Sequence, residues 1–246
     1  LSYDSDVGNG PFGFGWSLSL PAITRKTDKG LPQYLDATDS DVFLLSGAED
    51  LVPVYRQDPG GVWLAANPDL INQGFWQDPD GNWIRHKSGR LVVHEDVLDG
   101  YRVRRYRPRI EGLFARIERW SKIDTPGDVH WRSISKDNIL TLYGCDKNSR
   151  IVDPLDATRI FSWLICESRD DKGNGIQYLY KEENGDCQLR EGQADPFKQT
   201  HQINRGLAAD PGRKAQRYLQ RILYGNQEPL LDTQGLRPRY LSALPK

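Results

Sequence analysis

The pattern with the most specific chemical meaning lies near the start of the chain, where Gly8, Gly10 and Gly13 follow the order G-x-G-x-x-G. In dinucleotide-binding proteins these glycines let the backbone approach a pyrophosphate at a helix N-terminus. Here residues 14–21 alternate in polarity and end at a proline, which predicts a strand in place of that helix. We therefore interpret the glycines as a bend where two sheet layers approach closely. A side chain at Gly13 or Gly15 should block that approach.

Aspartates near the start of the chain offer a first candidate cation site. Asp4 and Asp6 resemble the beginning of a calcium loop. An EF-hand would place an oxygen ligand and a bidentate glutamate where this chain has Gly8 and Gly15. The pattern therefore does not predict an EF-hand.

Asp36, Asp39 and Asp41 form a second candidate, because three carboxylates within six residues repel one another unless something neutralises them. A solvated loop is the interpretation we favour. A calcium-stabilised extracellular module is the alternative.

The sequence lacks the common motifs of hydrolytic enzymes. The chain has no G-x-S-x-G elbow and no H-E-x-x-H helix, and its four histidines are scattered. A glycosidase needs only two carboxylates ~5–10 Å apart and no local motif, and tryptophans could stack on sugar rings. A carbohydrate-binding module or glycosidase is thus an open alternative, although repeated tryptophans at strand starts more often pack a sheet. The residues concerned are His86, His94, His130, His201, Trp63, Trp76 and Trp83.

Three cysteines, Cys145, Cys166 and Cys187, leave at least one without an intramolecular partner, and none forms a C-x-x-C pair. We expect structural thiols that are mostly reduced.

The elements that must position these residues are strands. Apolar residues recur with period two around Ile139–Tyr143 and Ile176–Tyr180, and turn residues interrupt the alternation every eight to twenty positions. The turn Gln57–Trp63 recurs twenty residues later as Gln77–Trp83, with looser copies after Asp124 and Asp171. This pattern predicts an all-β protein of successive antiparallel hairpins.

Two segments depart from the hairpin pattern. Residues 192–212 are mostly polar and show no periodicity, which predicts a long surface loop. Residues 215–224 fit either helical spacing or a strand that ends at the turn Gly225-Asn226.

Composition limits the class of protein. The chain has 246 residues, 33 basic and 34 acidic side chains and a net charge of −1, which disfavours a nucleic-acid partner. Its longest apolar stretches are far below the ~18 residues that cross a bilayer. Methionine is absent and the chain opens on an apparent strand, so we expect residues 1–246 to be a fragment of a larger protein.

Several long runs carry a family resemblance. Residues 1–5, 8–21, 23–30 and 41–53 in the first half, and 163–170, 172–180 and 217–226 in the second, closely resemble the SpvB-type N-terminal domain. That domain opens the B component of bacterial insecticidal toxin complexes (Tc toxins) and the Salmonella-type virulence protein. The resemblance covers nearly the whole chain. It implies that residues 217–224 form a strand, that the hairpins build a curved, RHS/YD-like multi-stranded sheet, and that the chain lacks N-terminal strands of the family domain. Tyr178-Leu179-Tyr180, followed by Asn184-Gly185, also resembles a degenerate YD (RHS-type) repeat.

The resemblance implies a secreted, non-catalytic structural module. In Tc toxins the B and C components form a hollow β-sheet shell around a cytotoxic region, which is delivered through the A-component channel. The expected partners are therefore the remaining B-component regions and the C component, or a C-terminal effector of the same chain. The family's ADP-ribosyltransferase lies outside this region, so no catalytic, metal or cofactor residue is carried over. The resemblance marks a set of structural motif residues: Gly8, Gly10, Gly13, Gly15, Trp16, Gly47, Gly173, Asn174 and Gly225.

Overall fold

The computed structural model describes residues 2–10, 12–36, 39–47, 49–55, 93–112, 114–125, 127–183 and 211–229. Its strands are β1 (Ser2–Tyr3), β2 (Asn9–Gly10), β3 (Gly13–Phe14), β4 (Trp16–Ser17), β5 (Ala22–Arg25), β6 (Phe43–Leu45), β7 (Glu49–Pro53), β8 (Glu95–Leu98), β9 (Tyr101–Pro108), β10 (Arg116–Lys122), β11 (Val129–Ile134), β12 (Leu140–Tyr143), β13 (Arg150–Asp153), β14 (Asp156–Arg169), β15 (Gly175–Glu182) and β16 (Arg217–Tyr224). Short 3-10 helices cover Lys147–Ser149 and Pro211–Lys214. Within these ranges, no helix has the length and apolar character needed to span a bilayer.

The strands form a large antiparallel sheet that closes on itself. Strands β5, β6, β7, β9, β10, β11 and β12 are hydrogen-bonded neighbours in that order. The long strand β14 then pairs with both β12 and β5, through Leu142 opposite Glu167 and Thr24 opposite Ser162. These eight strands make a barrel-like arrangement, while β15 and β16 extend from β14. The predicted all-β fold and curved antiparallel sheet are confirmed.

Aromatic side chains fill the interior of the barrel. Trp131 and Trp163 are fully buried, and the ring of Phe43 contacts both, with centroid distances of 4.9 and 5.8 Å. The indole nitrogen of Trp163 donates to the carbonyl of Val129 at 2.8 Å. A Cβ at Gly144 would lie 2.4 Å from Trp163, so only glycine lets the end of β12 pack there. The closed sheet therefore surrounds a packed core.

Most hairpin predictions match the observed strands. The turns after Asp124 and Asp171 join β10 to β11 and β14 to β15. Residues 217–224 form strand β16. The repeated turns at 57–63 and 77–83 lie outside the described residues. So do positions 192–210 of the predicted loop, while Pro211 and Gly212 begin a 3-10 helix.

The expectation of reduced thiols is wrong for one pair. Cys145 and Cys166 form a disulfide with a Cα–Cα distance of 6.3 Å across 21 residues of sequence. Cys145 directly follows β12 and Cys166 lies on β14, so the pair comes together where these strands close the barrel. Spacing in the sequence cannot reveal this, because it depends on which strands become neighbours. Cys187 lies outside the described residues.

Candidate functional site

A buried arginine occupies one mouth of the barrel. Arg25 ends β5 on the same face as the core residue Ile23, and its side chain is completely buried. Its Nε donates to the carbonyl of Ile160 at 2.7 Å, and Nη1 donates to Asp36 and Asp41, each at 2.7 Å. Burial of a charge is costly unless its hydrogen-bonding groups are satisfied. These contacts satisfy the guanidinium and fix the loop that carries the two aspartates.

The described residues of the β5–β6 loop, 26–36 and 39–42, are held at this mouth through their carboxylates. Asp41 accepts hydrogen bonds from the backbone N–H groups of Gln33 and Tyr34, at 2.9 and 2.8 Å. Asp36 binds Arg25 and also pairs with Arg119 of β10. Burial opposes the ionisation of Asp36, but the hydrogen bonds and charges of these arginines outweigh it and hold its pKa below the usual value.

Arginine side chains neutralise the three aspartates that the sequence analysis considered as a candidate cation site. Asp36 and Asp41 pair with Arg25, and Asp39 pairs with Arg104 at 2.6 Å. The side chain of Asp41 is only 6% exposed. The interpretation as a solvated loop is therefore wrong for Asp36 and Asp41, because the buried Arg25 guanidinium draws their carboxylates inward, whereas the side chain of Asp39 is 40% exposed. No group of three or more ligating side chains in the described part of the chain is arranged to hold a metal.

A pocket of about 480 Å³ opens beside this cluster. Arg104 of β9 binds Glu95 of β8 at 2.6 Å, and Arg102 pairs with the same carboxylate at 3.3 Å. Both carboxylates that line the pocket, Asp36 and Glu95, are thus shared between two arginines. The lining consists of Asp36, Glu95, Arg102, Arg104, Arg119, Ser121, Lys122, Ile123, Gly127 and Val129.

This arrangement suits electrostatic binding better than proton transfer. A glycosidase requires one carboxyl group with a raised pKa to protonate the leaving oxygen. The pKa of Asp36 is shifted in the opposite direction, by its arginine partners. The residues available for chemistry at the mouth are therefore cations held in place by carboxylates.

The N-terminal glycines form a separate group with Tyr3 and Trp16. Gly10 pairs with Gly13 between β2 and β3, and Tyr3 pairs with Trp16 between β1 and β4. A Cβ at Gly15 would lie 2.6 Å from Cε2 of Tyr3 and 2.9 Å from the Asp4 carbonyl, so here the backbone does approach closely. A Cβ at Gly13 would meet no atom within 4 Å, so the prediction that a side chain at Gly13 would block a close approach is wrong. Its φ of +102° is what favours glycine there. Gly8 also faces open space.

The second-half motif residues meet at the far end of the sheet. Asp170 accepts hydrogen bonds from the backbone and side-chain amides of Asn174, at 2.8 and 2.7 Å. The side chain of Asn226 accepts from the Gly175 N–H and donates to the Gly173 carbonyl, each at 2.9 Å. Gly225 provides the positive φ that turns the chain toward this contact, and Gly47 provides one between β6 and β7. Asn226 thus links the two turns, a role that the sequence analysis did not assign to it.

A third polar group lies around Trp120. The guanidinium of Arg132 lies 3.6 Å from the centroid of the Trp120 ring, and the ring of His130 stacks on the same indole. Arg132 donates from Nε to Nε2 of His130 at 3.2 Å. Burial, followed by the positive charges of Arg132 and Arg150, lowers the pKa of His130 to about 3. His130 is therefore neutral at physiological pH.

Sequence reasoning missed the central residues Arg25, Arg104 and Arg119. A signal for Arg25 was present: its position two residues after Ile23 places it on the buried face of an alternating strand, next to a carboxylate-rich loop. For Arg104 and Arg119 the decisive fact is the pairing of β9 with β10. Other proposed residues, namely Trp63, Trp76, Trp83, His86 and His201, lie outside the described residues.

Comparison with known sequences identifies a close group of relatives. A family model described as Salmonella virulence plasmid 65kDa B protein matches residues 1–242. The mono(ADP-ribosyl)transferases SpvB of Salmonella typhimurium and Salmonella dublin are each 34% identical to the chain over 234 residues. The match covers 94% of this chain and 32% of each relative. The chain thus spans about a third of the length of the curated relatives it matches.

Solved structures show the same fold. The N-terminal domain of effector SpvB from Salmonella typhimurium strain LT2 matches with a TM-score of 0.62 and 31% identity, over 92% of this chain and 58% of that one. The TcdB2-TccC3 structure matches with a TM-score of 0.57 and 27% identity, over 91% of this chain and 8% of that one. A Photorhabdus luminescens Tc holotoxin pore gives the same values.

The ion pairs of Arg25 with Asp36 and Asp41 predict that replacing Arg25 strongly destabilises the fold. In Arg25→Met, Asp36 and Asp41 lose their shared cation, and we expect the free energy of unfolding to fall by about 3 kcal/mol. Urea denaturation followed by circular dichroism measures this. Arg102→Met is the matched control, because that side chain is 57% exposed and should cost less than about 1 kcal/mol. Equal losses in the two variants would contradict the central role of Arg25.

The lowered pKa of His130 predicts that the free energy of unfolding falls as the solution becomes acidic. The unfolded chain takes up a proton near pH 6.5 that the folded protein refuses until about pH 3. Stability is therefore lost as the pH falls below 6.5, by about 3 kcal/mol at about pH 4.5. Asp36 and Asp41, whose pKa values are lowered, add their effect mainly below the ordinary aspartate pKa of 3.8. Urea unfolding at several pH values should show this slope, and His130→Gln should flatten it. An unchanged slope would exclude His130 as its source.

The two N-terminal glycines should respond differently to a Cβ. Both have positive φ, so alanine costs about 1–2 kcal/mol of local strain at either position. Only Gly15→Ala also clashes with Tyr3 and the Asp4 carbonyl. Hydrogen exchange at the Asp4 amide, which donates to the Gly15 carbonyl at 2.9 Å, should therefore accelerate more in Gly15→Ala than in Gly13→Ala. The reverse order would show that the close approach has no energetic weight.

Proposed function

Because the chain belongs to the family of the Salmonella virulence plasmid 65kDa B protein, we propose that it is a non-catalytic structural module of a secreted bacterial toxin or virulence protein. The relatives support the toxin and virulence context. They include an ADP-ribosyltransferase of which this chain matches about a third, and Tc toxin structures of which it matches a small part. We assign the ADP-ribosyltransferase activity named for the whole relative to the part of it that this chain does not match.

The observation that carries the proposal is that packed side chains fill the interior of the barrel. Small-molecule enzymes usually keep a concave site with a few perturbed acids or bases. Here the interior holds interlocking aromatic rings, and the carboxylates at the mouth are occupied by arginines. Such a closed, filled barrel is stiff and has few free strand edges. A structural part of a larger protein shell requires both properties.

The finer part of the proposal is enclosure. The module contributes to a β-sheet shell around a cytotoxic effector region, and its partners are the remaining shell regions and the polypeptide that carries the effector. Residues 1–246 act as one unit in this shell. The motif glycines, with Trp16 and Asn174, set its bends and turns and take no part in chemistry. The likeness to TcdB2-TccC3 over 91% of the chain supports this role.

Enclosure can be tested by exchanging the module. This chain would replace the matching segment of TcdB2, co-produced with TccC3, and limited proteolysis would follow the hypervariable C-terminal region of TccC3. We expect that region to be digested as slowly as in the unmodified complex. Trp163→Ala in the same chimera removes a buried core residue at a cost of about 3–5 kcal/mol and should shorten the protection. Trp16→Ala, at a 44% exposed position, is the matched control.

Two results would contradict the proposal. One is an assembled chimera whose effector region is digested as fast as free TccC3. The other is turnover of NAD or of a glycan by the purified chain that disappears in Asp36→Asn, because this would place catalysis at the barrel mouth.

A further inference from the structure

The disulfide at the barrel seam has one exposed and one buried half. Cys145 follows the end of β12 and is exposed to solvent, whereas Cys166 of β14 is only 5% exposed. A thiolate opens a disulfide by attacking one of its two sulfur atoms, so access decides which of them reacts in the folded protein. Exposed disulfides are, as a class, more readily reduced than buried ones. The exposed half of this bond therefore offers reductants a point of attack at Cys145.

A β-bulge places the buried half of the bond. On β12, Leu142 and Tyr143 are consecutive residues. Their partners on β14, Glu167 and Ile165, are not, so Cys166 is the extra residue of a bulge. Bulges re-aim a side chain and interrupt the ladder of hydrogen bonds. The covalent bond thus lies where the pairing between the two seam strands is irregular.

The same site accommodates the reduced cysteines. The backbone N–H of Cys145 donates to Sγ of Cys166 at 3.3 Å, and this sulfur lies 3.3 Å from the carbonyl oxygen of Leu142. After reduction, a thiolate at Cys166 accepts from that N–H, and a thiol donates to that carbonyl. Buried polar groups are costly when they have no partner. These two contacts let the bond open without leaving an unpaired group in the interior.

From these features we infer that Cys145–Cys166 is a reversible redox latch on the barrel seam, opened by thiol reductants that attack Cys145. The thiolate of the reductant bonds to Sγ of Cys145, and the electron pair of the broken S–S bond moves to Sγ of Cys166, which takes up a proton from water. A second thiolate of the reductant then attacks the reductant's own sulfur in the mixed disulfide, and Cys145 leaves as a thiolate and is protonated. The reductant ends as a disulfide after delivering two electrons. A disulfide oxidant reverses both steps.

Glutathione tests the point of attack, independently of the proposed shell role. The test uses the oxidised chain with Cys187→Ser, so that Cys145 and Cys166 are the only cysteines. N-ethylmaleimide in urea at mildly acidic pH stops the exchange by labelling free thiols, and mass spectrometry locates each group. We expect glutathione on Cys145 and maleimide on Cys166, at a rate proportional to the glutathione concentration. Glutathione on Cys166, a rate that levels off because unfolding must come first, or no reaction in the folded chain would each overturn the inference.

Hydrogen exchange measured by NMR tests whether the bond holds the seam. The amide of Gly144, beside the bond, donates to the carbonyl of Leu164 at 2.8 Å, whereas the amide of Lys122 donates to the carbonyl of Asp128 at 3.0 Å in a different hairpin. Full reduction with dithiothreitol should accelerate exchange at Gly144 about tenfold, because non-covalent contacts alone then hold this end of the seam. Exchange at Lys122 should not change. An unchanged rate at Gly144, or equal acceleration at both amides, would show that the bond is not a latch.

A serine pair separates the latch from other effects of the reductant. Cys145→Ser/Cys166→Ser should exchange at Gly144 at the fast rate, both with and without dithiothreitol. Cys187→Ser is the matched control, because it keeps the pair and should exchange slowly until the reductant is added. A slow rate in the serine pair would contradict the inference.

Discussion

The buried Arg25 guanidinium is the interaction on which the rest of this fold depends. A charge at the inner end of β5 is tolerated only because a carbonyl of β14 and two carboxylates of the β5–β6 loop meet its N–H groups. These contacts hold the described part of the loop against one mouth of the barrel. Asp36 carries the connection onward to Arg119 on the opposite wall. One charged group therefore joins three parts of the barrel that are far apart in sequence.

Closure of the sheet is the second constraint, and it rests on one strand. Strand β14 is long enough to pair with β13 and β12 along one edge and with β5 and β15 along the other. Its Trp163 lies at the centre of the aromatic core, and Gly144 allows the backbone of the neighbouring strand to pack against that indole. The disulfide between Cys145 and Cys166 spans the same seam. Packing and covalent bonding thus hold the barrel shut at one place.

These constraints bear directly on function. Aromatic rings fill the interior of the barrel and paired charges lie at its mouth, which is consistent with the proposed structural role. The mouth is the exception, because a pocket of about 480 Å³ opens there, lined by arginines that are paired with carboxylates.

The sequence by itself determined the strand class, several turns and the family. Alternation around Ile139 and Ile176 and the turn residues after Asp124 and Asp171 are local signals, because a period of two and a positive φ are properties of a few adjacent residues. The same locality explains why Gly15 could be singled out, although the cause at Gly13 is its φ.

Tertiary structure alone decided which residues meet. The aspartates at 36, 39 and 41 read as a solvated loop until β5, β9 and β10 brought arginines to them, and the cysteines read as free thiols until β12 met β14. Register between strands that are distant in sequence sets these contacts. A single sequence carries no local record of that register, since it depends on how the whole barrel closes.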